Sequence, residues 1–82
     1  MNVNYSKISL KQLKNLPEKN QIEILKKIEK LKNDPYIGKK LKGPLKNFRS
    51  LKVWPYRIIY QYSDSDKVIF INVIQHRQSV YK

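Results

Sequence analysis

Apolar residues recur along this chain first at every second position, then at helical spacing, then at every second position again. Val3 and Tyr5 alternate with Asn2, Asn4 and Ser6, a period of two that predicts a short first strand. Leu10, Leu13 and Leu16 then fall on one helical stripe, with Ser9 and Gln12 spaced as a capping box. Pro17 suits a first helical turn and disrupts a helix interior, so it marks the boundary between two helices. From Glu18 to about Lys32, Ile24, Leu25, Ile28 and Leu31 keep the helical period, and Ile22 widens the stripe. The opposite face carries Lys19, Lys26, Lys27 and Lys30, with Glu23 placed one turn before Lys27 as a supporting pair.

The stretch NDPYIGKKLKGPLKN at 33–47 is punctuated by Asn-Asp-Pro, Gly38 and Gly43-Pro44, and predicts a structured loop bearing lysines. The period of two then returns. Phe48 to Trp54 predicts one strand, Pro55 a tight turn, and Tyr56 to Tyr62 a second strand. Alternation places Tyr56, Ile58, Tyr60 and Tyr62 on one side of it and Arg57, Ile59 and Gln61 on the other. SDSD at 63–66 is a hairpin turn, and Lys67 to Gln75, rich in Val and Ile, is the last strand. The sum is β-α-α-β-β-β, an α+β fold in which two N-terminal helices cover one face of an antiparallel sheet, expected as a single domain over residues 1–82. The other face is expected to be partly free and to present Arg57, either Arg49 or Lys52, and the terminal HRQSVY. Trp54, beside Pro55, reads as a core or rim residue.

Charge changes the picture most. Eighteen Lys and Arg stand against six Asp and Glu, a formal net charge of +12. Such a surface accelerates association with polyanions and points to a nucleic acid or an acidic protein as partner. With no cysteine and one histidine, neither a disulfide nor a metal site is expected. The run from Val68 to Ile74 falls far short of the roughly 20 apolar residues of a membrane span. MNVNYSKISL has no apolar core of a secretory signal, so a cytoplasmic protein without a membrane partner is expected. The GKK at 38–40 lacks both the upstream glycine and the following Ser or Thr of a phosphate-binding loop.

Three segments, KLKGPL, YRIIY and HRQSVY, in this order and spacing, give the whole chain a resemblance to the RelE/ParE superfamily of bacterial and archaeal toxins. The resemblance implies the toxin of a type II toxin–antitoxin pair. RelE-like members cleave mRNA in the ribosomal A site, and ParE-like members inhibit DNA gyrase. It also implies a sheet backed by two N-terminal helices, no small-molecule cofactor, an acidic antitoxin as partner, and, on the RelE reading, the ribosome with its mRNA and rRNA. By the same likeness, Arg57 matches an arginine at the scissile phosphate, Arg77 a second catalytic arginine, and Tyr81 a tyrosine stacked on a substrate base. The chain departs from the best-known RelE proteins in having Arg49, Ser50, Leu51 and Lys52 where they carry a pair of lysines.

Metal-free RNA cleavage needs a deprotonated 2′-hydroxyl, stabilised negative charge at phosphorus and a protonated leaving oxygen. Arg57 and Arg77 supply fixed positive charge for the second need. For proton transfer, His76 is the one side chain that ordinarily titrates near neutrality, although alternation sets it opposite Arg77 if the strand continues that far. Lys52 is the alternative, in cationic surroundings that favour a neutral amine. Tyr81 offers a ring for base stacking. Lys39, Lys40, Lys42, Lys46 and Arg49 are the candidate contacts to RNA phosphates.

Overall fold

A computed structural model describes residues 1–77 of the chain. The element order is β1 (Asn2–Tyr5), α1 (Lys7–Lys14), α2 (Glu18–Asn33), β2 (Lys39–Lys40), a 3-10 turn (Gly43–Leu45), β3 (Arg49–Val53), β4 (Tyr56–Ser63) and β5 (Val68–His76). The strands form one sheet in the order β1-β5-β4-β3-β2. The two helices and the α+β layering are as expected from the sequence. The sheet, however, is mixed: β1 runs parallel to β5, because the two helices carry the chain back across the sheet before β5 is laid down beside β1. The loop at 33–47 also holds more structure than its turn residues suggested. Its two-residue β2 pairs with β3 at the sheet edge, and Gly43, at φ 65, takes the left-handed conformation that opens the 3-10 turn.

The core lies between the helices and one sheet face. Leu13 of α1 and Ile24, Ile28 and Leu31 of α2 meet Val53, Ile58, Tyr60, Ile69, Ile71 and Ile74. Ile22 and Leu25, read as part of the α2 stripe, are exposed, since the buried stripe is only as wide as Ile24, Ile28 and Leu31.

A bulge in β5 sets the geometry of the sheet. Ile59 pairs with Val73 but Tyr60 pairs with Ile71, so Asn72 is an extra residue. The extra residue lets Ile69, Ile71 and Ile74 all reach the core and turns Phe70 and Val73 to the other face. Where β1 ends opposite Ile71, α1 and its cap take over the pairing of β5's backbone around the bulge. Ser6 N–H and Ser9 Oγ donate to the Ile71 carbonyl at 2.9 and 3.0 Å, Ser6 Oγ donates to the Asn72 carbonyl at 2.6 Å, and Gln12 Oε1 accepts from Ile74 N–H at 2.8 Å. Ser9 and Gln12 therefore do not form the capping box their spacing suggested. Ser6 is the N-cap, accepting from Ser9 N–H at 3.0 Å, and Ser9 and Gln12 turn inward to the bulge.

Candidate functional site

On the face turned away from the helices, register lays side chains out in rows, because residues directly opposite in neighbouring strands share a face. Lys39, Ser50, Ile59 and Val73 make one row, and Lys52, Arg57 and Gln75 the next. Lys52 and Arg57 are direct cross-strand partners, which puts their Cβ atoms roughly 4.5–5.5 Å apart.

Beside this pair lies a groove of about 570 Å³. Leu41, Leu45, Phe48, Ile59 and Val73 give it apolar walls, and Ser50, Arg57, Asn72 and Gln75 give it polar points. No carboxylate is among these lining residues. The free face is thus an apolar trough with cations along its margin.

The candidate residues divide by face. Arg57 and Lys52 are together on the free face. Arg49 is not: it pairs with Tyr60, whose side chain is in the core, and so projects to the helix side. There its guanidinium donates to the carbonyls of Gly38 at 2.9 Å and Tyr36 at 3.3 Å and lies 5.1 Å from the Tyr36 ring centroid. Arg49 therefore braces the 36–38 loop, and of the two alternatives for the free face it is Lys52 that occupies it. Of the loop lysines, Lys39 shares a row with Ser50, whereas Lys40 pairs with Arg49 and falls on the other side. Lys42 and Lys46 flank the 3-10 turn and are exposed.

His76 also turns away from the groove. It pairs with Tyr56, which packs against the core, and the two rings meet edge to face with centroids 5.3 Å apart. The strand continues through His76, so alternation separates it from Arg57 and Gln75. Arg77 comes to the same end of the sheet as Arg57: its N–H donates to the Pro55 carbonyl at 2.7 Å and its guanidinium lies 4.4 Å from the Trp54 ring centroid. Trp54, expected at a core or rim, is 66% exposed, held at the β3–β4 turn with Arg77 over its ring. Tyr81 lies outside the described residues.

Reasoning from sequence passed over Ser50, Asn72 and Gln75. Alternation from Arg57 placed Gln75 and Ser50 within reach of inference, but the face of Asn72 depends on a bulge that the continuous apolar run 68–74 conceals.

Among the described residues the ordinary pKa values are displaced at tyrosines and one lysine, all away from the groove. Burial pushes the Tyr60 hydroxyl up, and its bond to Gly38 and the charge of Arg49 act in the opposite sense. Burial and, secondarily, the Glu29 carboxylate push Tyr5 up.

This fold is shared with toxins of known structure. RelBE2 of Mycobacterium tuberculosis, solved as a toxin–antitoxin complex, aligns with a TM-score of 0.85 at 23% identity, covering 93% of this chain and 96% of that one. A YoeB/ParE toxin from Agrobacterium tumefaciens aligns with a TM-score of 0.82 at 18% identity, covering 93% and 98%. The archaeal RelE–RelB complex of Pyrococcus horikoshii OT3 aligns with a TM-score of 0.76 at 26% identity, covering 93% of each chain. No curated protein shows significant similarity. Two helices backing a five-stranded mixed sheet are the fold of RelE-like toxin structures, and the chain is a toxin of the type II toxin–antitoxin class in the RelE/ParE superfamily. Within that class, residues 3–81 match the family described as "ParE toxin of type II toxin-antitoxin system, parDE", and the chain belongs to this family.

Proposed function

We propose that this toxin is a metal-independent endoribonuclease that cuts mRNA in the ribosomal A site and thereby stops translation in the cytoplasm. The observation that carries the reading is the Lys52–Arg57 pair on the free face, with Arg77 at the same end of the sheet and no carboxylate among the described residues that line the groove. In the proposed step the 2′-oxygen attacks the adjacent phosphorus and a 2′,3′-cyclic phosphate forms. The 5′-oxygen leaves with a proton. Arg57 and Arg77 hold the charge that develops on the phosphoryl oxygens, where fixed cations contribute most. Lys52, directly opposite Arg57, is better placed to move a proton than His76, which lies on the helix side. Tyr81 is proposed to stack on a substrate base.

The partner that restrains the toxin is proposed to be an acidic antitoxin segment; structures that share the fold were solved as toxin–antitoxin complexes. A groove of about 600 Å³ between α2 and β1 suits its apolar face, with Met1, Val3, Tyr5, Ile22 and Leu25 as lining and Lys26, Lys32 and Glu29 as charged neighbours, Lys32 being paired with Glu29 at 3.1 Å. β1 is an edge strand, so its outer side is available for an added strand.

One observation favours a second reading, inhibition of DNA gyrase. Among the described residues the groove lining holds no group that ordinarily exchanges a proton near neutral pH, and a protein that acts by binding needs none. Purified toxin added to mRNA-programmed ribosomes and, separately, to gyrase in a supercoiling assay distinguishes the two. Cut mRNA with unaffected supercoiling supports the nuclease, and the reverse pattern supports the gyrase inhibitor.

A further inference from the structure

We infer that the groove on the free face is a nucleobase pocket in which Ser50 and Asn72 read an amino-bearing purine, adenine fitting best; this rests on the reading of the chain as RNA-directed. Two buried side-chain polar atoms lack a hydrogen-bond partner among the described residues, Ser50 Oγ and Asn72 Oδ1, and both residues line this one groove. Ser50 is only 7% exposed. Folded proteins pair nearly all such atoms, and an orphan in a concave site points to a ligand that completes it. Two of them at a single groove are not scattered packing faults.

The chemistry of the lining selects the ligand. Leu41, Leu45, Phe48, Ile59 and Val73 make an apolar slot suited to a flat ring. Asn72 Nδ2 already donates to Gln61 Oε1 at 3.3 Å, which leaves Oδ1 as an acceptor for an N–H of the ligand. The Ser50 hydroxyl donates or accepts. Ser50 and Asn72 stand on either side of Ile59, about two strand spacings or roughly 10 Å apart, so a purine laid over Ile59 meets one with each edge. The exocyclic amino group of adenine faces Asn72 Oδ1, and a ring nitrogen accepts from Ser50. Arg57, at the margin of the same groove, is placed for the adjoining phosphate. A base of this kind beside an anion site is a nucleotide, which an acidic peptide side chain does not imitate.

The test is an amide-resolved NMR titration of the full chain with three probes: AMP, the 5′-monophosphate of unsubstituted purine riboside, and UMP. AMP is expected to shift the amides of Ser50, Ile59, Asn72 and Val73 and to bind at least tenfold more tightly than the other two. Asn72→Leu removes that preference while leaving weak phosphate-dependent binding. Ser50→Ala does the same, and because it deletes an unpartnered hydroxyl it folds at least as stably as the parent. Equal affinity for the three probes overturns the inference, as does selectivity that survives in both variants. Groove amides that respond to no nucleotide also overturn it and leave the groove to a protein side chain. The ribosome assay keeps this separate from the parent reading. mRNA cut with a base preference that Asn72→Leu does not change removes the pocket and keeps the nuclease. AMP-selective binding without cutting removes the nuclease and keeps the pocket.

Discussion

Replacing Tyr60 by Phe tests how the segment between α2 and β2 is held. Tyr60 is fully buried, and its hydroxyl donates to the Pro35 carbonyl at 2.8 Å and accepts from Gly38 N–H at 3.0 Å. The fit is close enough that a Cβ on Gly38 would stand 2.6 Å from Tyr60 Cε1 and Oη. Phe keeps the ring packing and removes one oxygen, so the cost is that of two buried backbone groups losing their partner. Each such orphan costs about 1–3 kcal/mol, and with some relaxation of the loop a total of about 2–3 kcal/mol is expected. At roughly 2.1 cal/mol/K of unfolding entropy per residue, a chain of 82 residues loses about 6 °C of Tm per kcal/mol, so the midpoint should fall by roughly 12–18 °C. Urea unfolding followed by far-UV circular dichroism measures the free energy, with an unchanged m-value expected. A loss under about 0.5 kcal/mol refutes the claim that this hydroxyl anchors the 35–38 segment.

Three further outcomes follow from the same geometry. Ser6→Ala removes the N-cap of α1 and the bond to the bulge carbonyl of Asn72, and should cost about 1–2 kcal/mol in urea unfolding. Lys67 sits at φ 55 in the β4–β5 turn, so Lys67→Gly should raise stability by up to about 1 kcal/mol in the same assay; a loss contradicts the strain. Because burial raises the folded-state pKa of Tyr60 and Tyr5 above the ordinary 10.0, their contribution to stability is complete below pH 10. It is lost as pH rises through the folded values, where the unfolded chain has already released its protons. The unfolding midpoint should therefore drop above pH 10, and less steeply in Tyr60→Phe.

The strand and helix periods were legible because the residues that set them are unambiguous: strict alternation from Tyr56 to Tyr62 fixes which side of β4 faces the helices, and it placed Arg57 correctly on the free face. Alternation could not place Arg77, because β5 ends at His76. What stayed hidden depended on contacts between distant segments. The parallel pairing of β1 with β5 leaves no local mark, since a strand of four residues pairs equally well in either direction. The bulge at Asn72 lies in a run where nearly every residue is apolar, so the shift from a spacing of two to three at Ile69, Ile71 and Ile74 could not be seen. Ser9 and Gln12 have the spacing of a capping box, yet tertiary demand from the bulge captured both. Arg49 resembles Lys52 as a strand cation, and only the pairing with Tyr60 turns it toward the Gly38 carbonyl.

The central claim, that the free face of this toxin holds an anionic RNA transition state, is tested most directly by the single-turnover rate of mRNA cleavage in the A site of programmed ribosomes. The unmodified chain is expected to cut, and Arg57→Ala to slow cutting by more than tenfold, about 1.4 kcal/mol of lost transition-state stabilisation, with the fold intact by circular dichroism. Arg77→Ala should behave alike. Cleavage at the parental rate in both variants contradicts the claim.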